Sequence, residues 1–347
     1  MFHKFSFFQG LRLLQKSRDI MYLLNKLGAL WGTFVERRRN EAEVSRMIRI
    51  VTGHRNLYVL VIMGGIPLFV IRAHMYILGQ VFVTKNEYNS FNYSLTVFPL
   101  VYPFPQSNAL CYSLCVLFEH LAILSIACFW TSCDSVFAQV TTHVAIHFEN
   151  LRYDIEHGFP TDGNFPRNEN IVIQELISIA KRHSELFSLC HAIENIFSPI
   201  ILLTTLMTAA NICFCLYQID TMMTFGDYVE TAKNIFHFLI LFSAIVTYCG
   251  FASMLTDKAK MISDGAYASQ WYGCENRAKR LLIIMMIRSQ KPYYLTAYGF
   301  FAITLNQITT VSKIQNNNAT TENRDGQRIS VSEKRAAISY NGVLIKV

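Results

Sequence analysis

The sequence is poor in charged residues and lacks the motifs of several enzyme classes. Only 16% of its 347 residues are charged, against about 25% in ordinary soluble domains. It contains no CxxC pair, no Cys/His spacing suited to zinc, no Gly-rich phosphate loop and no candidate nucleophile triad. We therefore expect no enzyme activity, no cofactor and no metal site, and we interpret the nine cysteines as reduced packing residues.

Hydrophobic residues, in contrast, are abundant. They make up 52% of the chain, with 13% aromatic residues, and they are grouped in nearly uncharged runs of helix length. The net charge of +7 does not indicate nucleic-acid binding, because the Lys and Arg residues lie between the apolar runs and form no stripe with exposed aromatic residues. The predicted fold class is all-α, a polytopic helical membrane protein in contact with lipid.

Five runs are each long enough to cross the ~30 Å hydrocarbon core of a bilayer as a helix. They are residues 57–83, 110–133, 196–219, 235–256 and 293–311. Residues 1–56 are predicted to form a short apolar stub and a basic amphipathic helix, 147–195 a long polar loop, and 220–230 a short one. Residues 257–314 join a basic, aromatic segment to the last span, and residues 315–347 are predicted to be a disordered tail.

The loop charges predict the orientation of the chain. Residues 35–56, 147–195 and 257–292 hold nearly all of the loop Lys and Arg residues, so the positive-inside rule places them in the cytoplasm. The C-terminus is then extracellular. The two N-glycosylation sequons, at Asn92 and Asn318, both fall on the outer side, as glycosylation requires.

Two charged residues interrupt the first two spans. Arg72 and Glu119 both lie roughly 14–17 Å from the outer ends of their spans, at 1.5 Å per residue. An unpaired charge at this depth costs at least about 3 kcal/mol, so we expect the two side chains to pair, with His74 or His120 nearby. Such a pair either holds two helices together or contacts a bound molecule, and the sequence leaves both roles open.

Four segments together resemble a known family. Residues 266–272 (AYASQWY), 284–292 (IMMIRSQKP) and 296–301 (TAYGFF) resemble the C-terminal signature of insect odorant receptors, and residues 194–199 (ENIFSP) look like the start of that family's fifth helix. The similarity extends over roughly residues 11–314. It implies that the five spans correspond to helices three to seven, with the first helix, most of the second and the end of the seventh missing, as in an incomplete gene model or an alternative transcript.

The resemblance also implies a function. Members of this family are odorant-specific subunits of odorant-gated, non-selective cation channels, and each assembles with a common co-receptor into a hetero-tetramer in the plasma membrane of olfactory sensory neurons. The expected ligand is a small, volatile, apolar molecule. Two alternatives are a non-conducting truncated form that only assembles with the co-receptor, and a G-protein-coupled receptor, which the predicted extracellular C-terminus opposes.

Three groups of site residues follow from the resemblance. The implied odorant pocket, which aromatic residues would suit to an apolar ligand, contains Arg72, His74, Met75, Leu78, Gly79, Cys115, Phe118, Glu119, Phe238 and Phe242. The last span is implied to line the pore through Thr304, Gln307 and Thr310, although such residues also serve as interhelical partners. The cytoplasmic subunit interface is expected to be anchored by Tyr267, Trp271 and Tyr272.

Overall fold

Helices make up nearly all of the described structure. The computed structural model describes residues 10–37, 41–83, 102–104, 108–158 and 169–305. Its helices are α1 (Ser17–Arg37), α2 (Glu41–Val83), α3 (Ala109–His157), α4 (Glu169–Phe225), α5 (Tyr228–Ala268) and α6 (Asn276–Gln290). A 3-10 turn at Trp271–Gly273 and two short strands, β1 (Thr296–Ala297) and β2 (Phe301–Ala302), complete it. The predicted all-α class is confirmed.

The chain divides into two units, Met1–Ala302 and Ile303–Val347. All of these helices and both strands lie in the first unit. Of the second unit the structure describes residues 303–305.

Four of the described helices, α2 to α5, contain segments long and apolar enough to cross a membrane. They match the first four predicted spans, and each helix is much longer than its span. Helix α4, for example, has 57 residues, or about 85 Å at 1.5 Å per residue, against ~30 Å of hydrocarbon. The helices therefore continue well beyond the bilayer.

The buried core lies mainly in these extensions. Helix α3 packs most extensively on α5, and α5 also packs on α4 and α6. The largest fully buried side chains include Phe137, Ile146, Phe148, Leu151, Ile155, Leu176, Leu189 and Ile193. These residues follow the predicted span of α3 or precede that of α4. The first part of α3, in contrast, exposes many large apolar side chains, as expected of a surface that faces lipid.

Helices α4 and α5 are joined by a turn shorter than the predicted loop at 220–230. Helix α4 continues to Phe225, and α5 begins at Tyr228. Gly226 has a φ of 73°, a conformation that glycine adopts without steric cost. The side chain of Asp227 then caps α5 by accepting a hydrogen bond from the backbone N–H of Glu230, at 3.2 Å.

The fifth predicted span differs from the structure. Residues 293–304 contain no helix; they form the hairpin of β1 and β2, in which Thr296 pairs with Ala302. The turn has positive φ values at Tyr298 (55°) and Gly299 (74°), which a right-handed helix does not allow. Thr304 is accordingly not helical. Residues 306–311, which include Gln307 and Thr310, lie outside the described residues.

Candidate functional site

A cavity of about 400 Å³ lies at the start of α3. Its lining is almost entirely apolar and consists of Tyr102, Phe104, Cys111, Leu114, Cys115 and Phe118. The positions on α3 recur at three- and four-residue intervals, so one face of the helix forms one wall. The volume is in the range of small-molecule sites, and an apolar lining is typical of them. Cys115 and Phe118 of the predicted pocket lie in this wall.

A buried carboxylate lies directly beside the cavity. Glu119 is only 1% exposed, and its Oε1 accepts a hydrogen bond from the hydroxyl of Tyr102 at 2.9 Å. A polar pair at the edge of an apolar cavity can orient a ligand that carries a polar group. The side chain of Arg72 lies outside the described part of the structure, so the pair of Arg72 with Glu119 stays a prediction.

Two histidines join α2 and α3 near the same cavity. The Nε2 atoms of His74 and His120 are 3.1 Å apart, and the two rings meet edge to face with their centroids 4.9 Å apart. His74 and His120, which were expected near a pair of Arg72 with Glu119, thus contact each other.

The remaining predicted pocket residues do not join this wall. Met75 and Leu78 have exposed side chains, and no atom lies close to the position that a Cβ would take at Gly79. Phe238 and Phe242 stack on each other on α5, with their centroids 6.3 Å apart. Phe238 packs against a separate cluster formed by Trp130, Cys215, Leu241 and Ala244.

A second polar centre was missed in the sequence. Asp134 is fully buried, and its two carboxylate oxygens accept hydrogen bonds from Tyr58 of α2 and Tyr248 of α5, each at 2.5 Å. One carboxylate thus links three helices at the end of the predicted second span. The sequence signal was weak, because the three residues are far apart in the chain and Asp134 lies one position beyond that span.

An ion-pair network joins the same three helices further along. The ammonium group of Lys258 (α5) lies 3.0 Å from carboxylate oxygens of both Glu43 (α2) and Glu149 (α3). Arg152 in turn pairs with Glu149 at 2.7 Å and with Glu156 at 2.5 Å. A network of partly buried charges that share partners contributes more to stability than an isolated ion pair on the surface. The network therefore fixes how the helix extensions pack.

Glu194 of α4 holds the hairpin that follows α6. Its carboxylate accepts hydrogen bonds from the Tyr293 hydroxyl at 2.5 Å, from the Thr296 backbone N–H at 3.1 Å, and from the Thr296 hydroxyl. One turn along α4, the hydroxyl of Ser198 accepts from the backbone N–H of Tyr298. Burial raises the pKa of Tyr293 above its ordinary value, and the Glu194 carboxylate adds to this increase. These contacts explain why residues 293–302 form a hairpin that packs against α4.

The aromatic residues predicted to anchor the subunit interface are exposed in the single chain. Tyr267 lies in the last turn of α5 with most of its side chain accessible, and Trp271 and Tyr272 lie in the 3-10 turn that follows. Exposed aromatic groups of this size are enriched in protein interfaces. Their role at an interface stays a prediction.

The four long apolar helices and the small apolar cavity define a polytopic helical membrane protein with a candidate small-molecule site. A family model described as 7tm odorant receptor matches residues 7–314. The chain therefore belongs to the odorant receptor family.

Individual members of the family support this conclusion. The chain is 28% identical over 184 residues to odorant receptor 85b of Drosophila melanogaster, covering 53% of this chain and 45% of that receptor. It is 22% identical over 211 residues to odorant receptor 82a of the same species, covering 60% and 52%. The chain thus spans about half the length of the curated relatives that it matches.

Solved structures share the fold. The insect olfactory receptor OR5 from Machilis hrabei superposes with a TM-score of 0.67 at 13% identity, covering 90% of this chain and 77% of that receptor. The same receptor in complex with eugenol gives a TM-score of 0.65, also at 13% identity, covering 89% and 76%. At this identity the likeness shows a common fold.

Proposed function

We propose that the chain is an odorant-binding subunit of an odorant-gated cation channel. The observation that carries the proposal is the apolar cavity at the start of α3, in a chain of the odorant receptor family. Its lining favours a small apolar ligand, and the partly buried Tyr102–Glu119 pair favours one that carries a single polar group. A structure of OR5 in complex with eugenol is consistent with a ligand of this size class.

The proposed mechanism is a shift between closed and open states of the pore. A ligand shifts such an equilibrium only to the extent that it binds the open state more tightly. The cavity wall belongs to α3, and α3 packs on α5 through the buried Asp134 centre and the Lys258 network. These rigid contacts give a ligand at the start of α3 a physical route to the rest of the helix bundle.

The proposal extends to the assembly and its location. The subunit assembles with a co-receptor into a hetero-tetramer in the plasma membrane of olfactory sensory neurons, with its C-terminus outside. Tyr267, Trp271 and Tyr272 contribute to the contact between subunits, because they are exposed aromatic residues outside the predicted spans. Residues of the last span, including Gln307 and Thr310, face the pore.

The test is current recording from cells that express the chain with and without the co-receptor, over a panel of volatile compounds. We expect currents only with both subunits present. Replacing Leu114 by Trp, which fills the cavity, should reduce the response to the best compound at least tenfold. The matched control is Leu206→Trp, since Leu206 is equally exposed (58% for both residues) but lies on α4 outside the cavity lining.

Two outcomes would contradict the proposal in different ways. If Leu114→Trp reaches the surface and responds like the unmodified receptor, the cavity is not the odorant site. If the unmodified pair reaches the surface but stays silent for every compound, the chain does not act as a conducting subunit. Surface labelling of every variant separates these results from poor folding.

A further inference from the structure

His74 and His120 face each other across two neighbouring helices. His74 lies nine residues before the end of α2 and His120 eleven residues after the start of α3, so both lie at a similar depth, about 14–17 Å from those helix ends. Their Nε2 atoms are 3.1 Å apart. Both rings are half-buried, so they are held by the protein but not sealed inside it.

The other ring nitrogen of each histidine is already engaged. Nδ1 of His74 lies 2.7 Å from the backbone carbonyl oxygen of Val70, and Nδ1 of His120 lies 2.6 Å from that of Val116. A carbonyl oxygen only accepts, so each Nδ1 carries a proton. In a neutral imidazole the Nε2 atom is then an acceptor with its lone pair free. In two neutral rings, two acceptors therefore face each other, and a cation between them, either a shared proton or a metal ion, removes the repulsion of their lone pairs.

We propose that this histidine pair is a binding site for a divalent transition metal ion of the Zn²⁺ type. Neutral imidazole nitrogen is a preferred ligand of zinc, at a Zn–N distance of ~2.0–2.1 Å. With the two nitrogens 3.1 Å apart, such an ion would subtend an N–Zn–N angle of about 98°, close to the values of tetrahedral coordination. The site thus accepts the ion with a change of only a few tenths of an ångström.

The two backbone carbonyls strengthen the assignment. Histidines that bind a metal usually donate their second ring N–H to a carbonyl or carboxylate, which sets the tautomer and the ring orientation and raises the basicity of the ligand. Val70 and Val116 supply this interaction to both rings. The sequence alone missed the site because the two residues are 46 positions apart and lie on different helices.

The protein supplies two ligands, and water completes the coordination. In the described parts of the chain no group of three or more His, Cys, Asp and Glu side chains is arranged to hold a metal. The affinity is therefore lower than that of structural four-ligand zinc sites, and the ion exchanges. A bound ion would tie α2 to α3 two residues beyond Phe118 of the cavity wall, so it also reduces the freedom of that wall.

The experiment measures zinc binding directly and does not depend on channel activity. The full chain, purified in detergent, is titrated with ZnCl₂ by isothermal calorimetry. We expect one saturable site, and we expect His74→Ala and His120→Ala each to weaken binding by about tenfold or more. His157→Ala is the matched control, because His157 is an exposed histidine at the far end of α3 and should leave binding unchanged.

A further variant separates metal binding from a structural role of the pair. His74→Cys places a thiolate ligand at the same position and should restore a site that prefers Cd²⁺ over Zn²⁺, which loss of folding cannot produce. The proposal is overturned if the unmodified chain shows no saturable zinc binding, or if binding persists when both histidines are replaced by alanine. The pair would then hold a shared proton in place of a metal ion.

Discussion

The two halves of α3 belong to one continuous helix and have opposite surroundings. In the first half, Leu114, Phe118 and Leu121 are each more than half exposed, whereas in the second half Phe137, Ile146 and Phe148 are fully buried. The apolar first half is exposed because lipid solvates it, and apolar groups gain little there by burial. The second half extends beyond the bilayer and buries its apolar side chains as a soluble protein does. Stability therefore resides mainly in the extension, and the candidate cavity lies in the exposed half.

The largest difference in stability is expected between two variants that carry the same substitution, one in each half of α3. Phe148→Ala deletes a fully buried ring in the extension and is expected to cost about 3–5 kcal/mol, since a cavity is left behind. Phe118→Ala, on the same helix, removes a ring that is 61% exposed and should cost less than about 1 kcal/mol. The thermal midpoint of the detergent-purified protein measures both. Equal midpoints would refute the division of α3 into two environments.

The next effect concerns the carboxylate at the boundary between the halves. Asp134→Ala leaves the buried hydroxyls of Tyr58 and Tyr248 without their acceptor, which should destabilise the chain by about 2–4 kcal/mol. Replacing both tyrosines by Phe in the Asp134→Ala background should recover part of the loss, because the unpaired hydroxyls are removed. Surface expression and the thermal midpoint are the readouts. No recovery in the triple variant would mean that the hydrogen bonds are not the cause.

A smaller effect is expected at Gly265, where α5 packs closely against the extension of α3. A Cβ at Gly265 would lie 2.7 Å from Cγ and 3.0 Å from the backbone oxygen of Arg152. Gly265→Ala should therefore cost about 1–3 kcal/mol through overpacking. The control is Gly250→Ala on the same helix, where a Cβ would meet no atom within 4 Å apart from its chain neighbours and the nearby backbone of its own helix, and this change should be neutral or slightly stabilising. If both variants melt alike, the helices are not in close contact at Gly265.

The smallest effect is expected at a surface ion pair. Lys26 of α1 lies 2.9 Å from Glu185 of α4, and about a third of each side chain is exposed. Lys26→Ala should change the stability by less than about 1 kcal/mol, and added salt should reduce the difference further. Lys258→Ala, which removes the shared cation of the buried network, should cost more and depend less on salt. If Lys26→Ala lost more stability than Lys258→Ala, the main stabilising contacts would lie outside the packed extensions of α3 and α5.

Much of the fold was predictable because membrane spans depend on local sequence. Four apolar runs lie within α2 to α5. In a bilayer the backbone N–H and C=O groups have no water to bind, so an apolar segment forms a helix that pairs them internally. Residues 293–304 of the last run did not become a helix, because Glu194 and Ser198 bind the backbone of residues 296 and 298 from another helix. Apolar composition alone does not reveal such long-range partners.

The candidate site was predictable only in part, for a related reason. Cys115 and Phe118 were predicted because the family resemblance implied a pocket at this part of the second span, and both lie in the wall of the cavity. The other contacts join residues that are distant in the chain. Tyr102 is 17 positions from Glu119, His74 is 46 from His120, and Tyr248 is 114 from Asp134. Tyr102 and Asp134 also lie outside the predicted spans. Their proximity depends on the angle and depth at which helices cross.

The sequence by itself thus determined that the chain is helical, crosses a membrane and belongs to a family with a recognisable C-terminal signature. Composition, run length and motif order are enough for these conclusions, since each depends on neighbouring residues. Only the tertiary structure decided which polar groups are buried together, where the cavity lies and which half of α3 forms the core. Those features depend on the packing of distant segments, which no local pattern encodes.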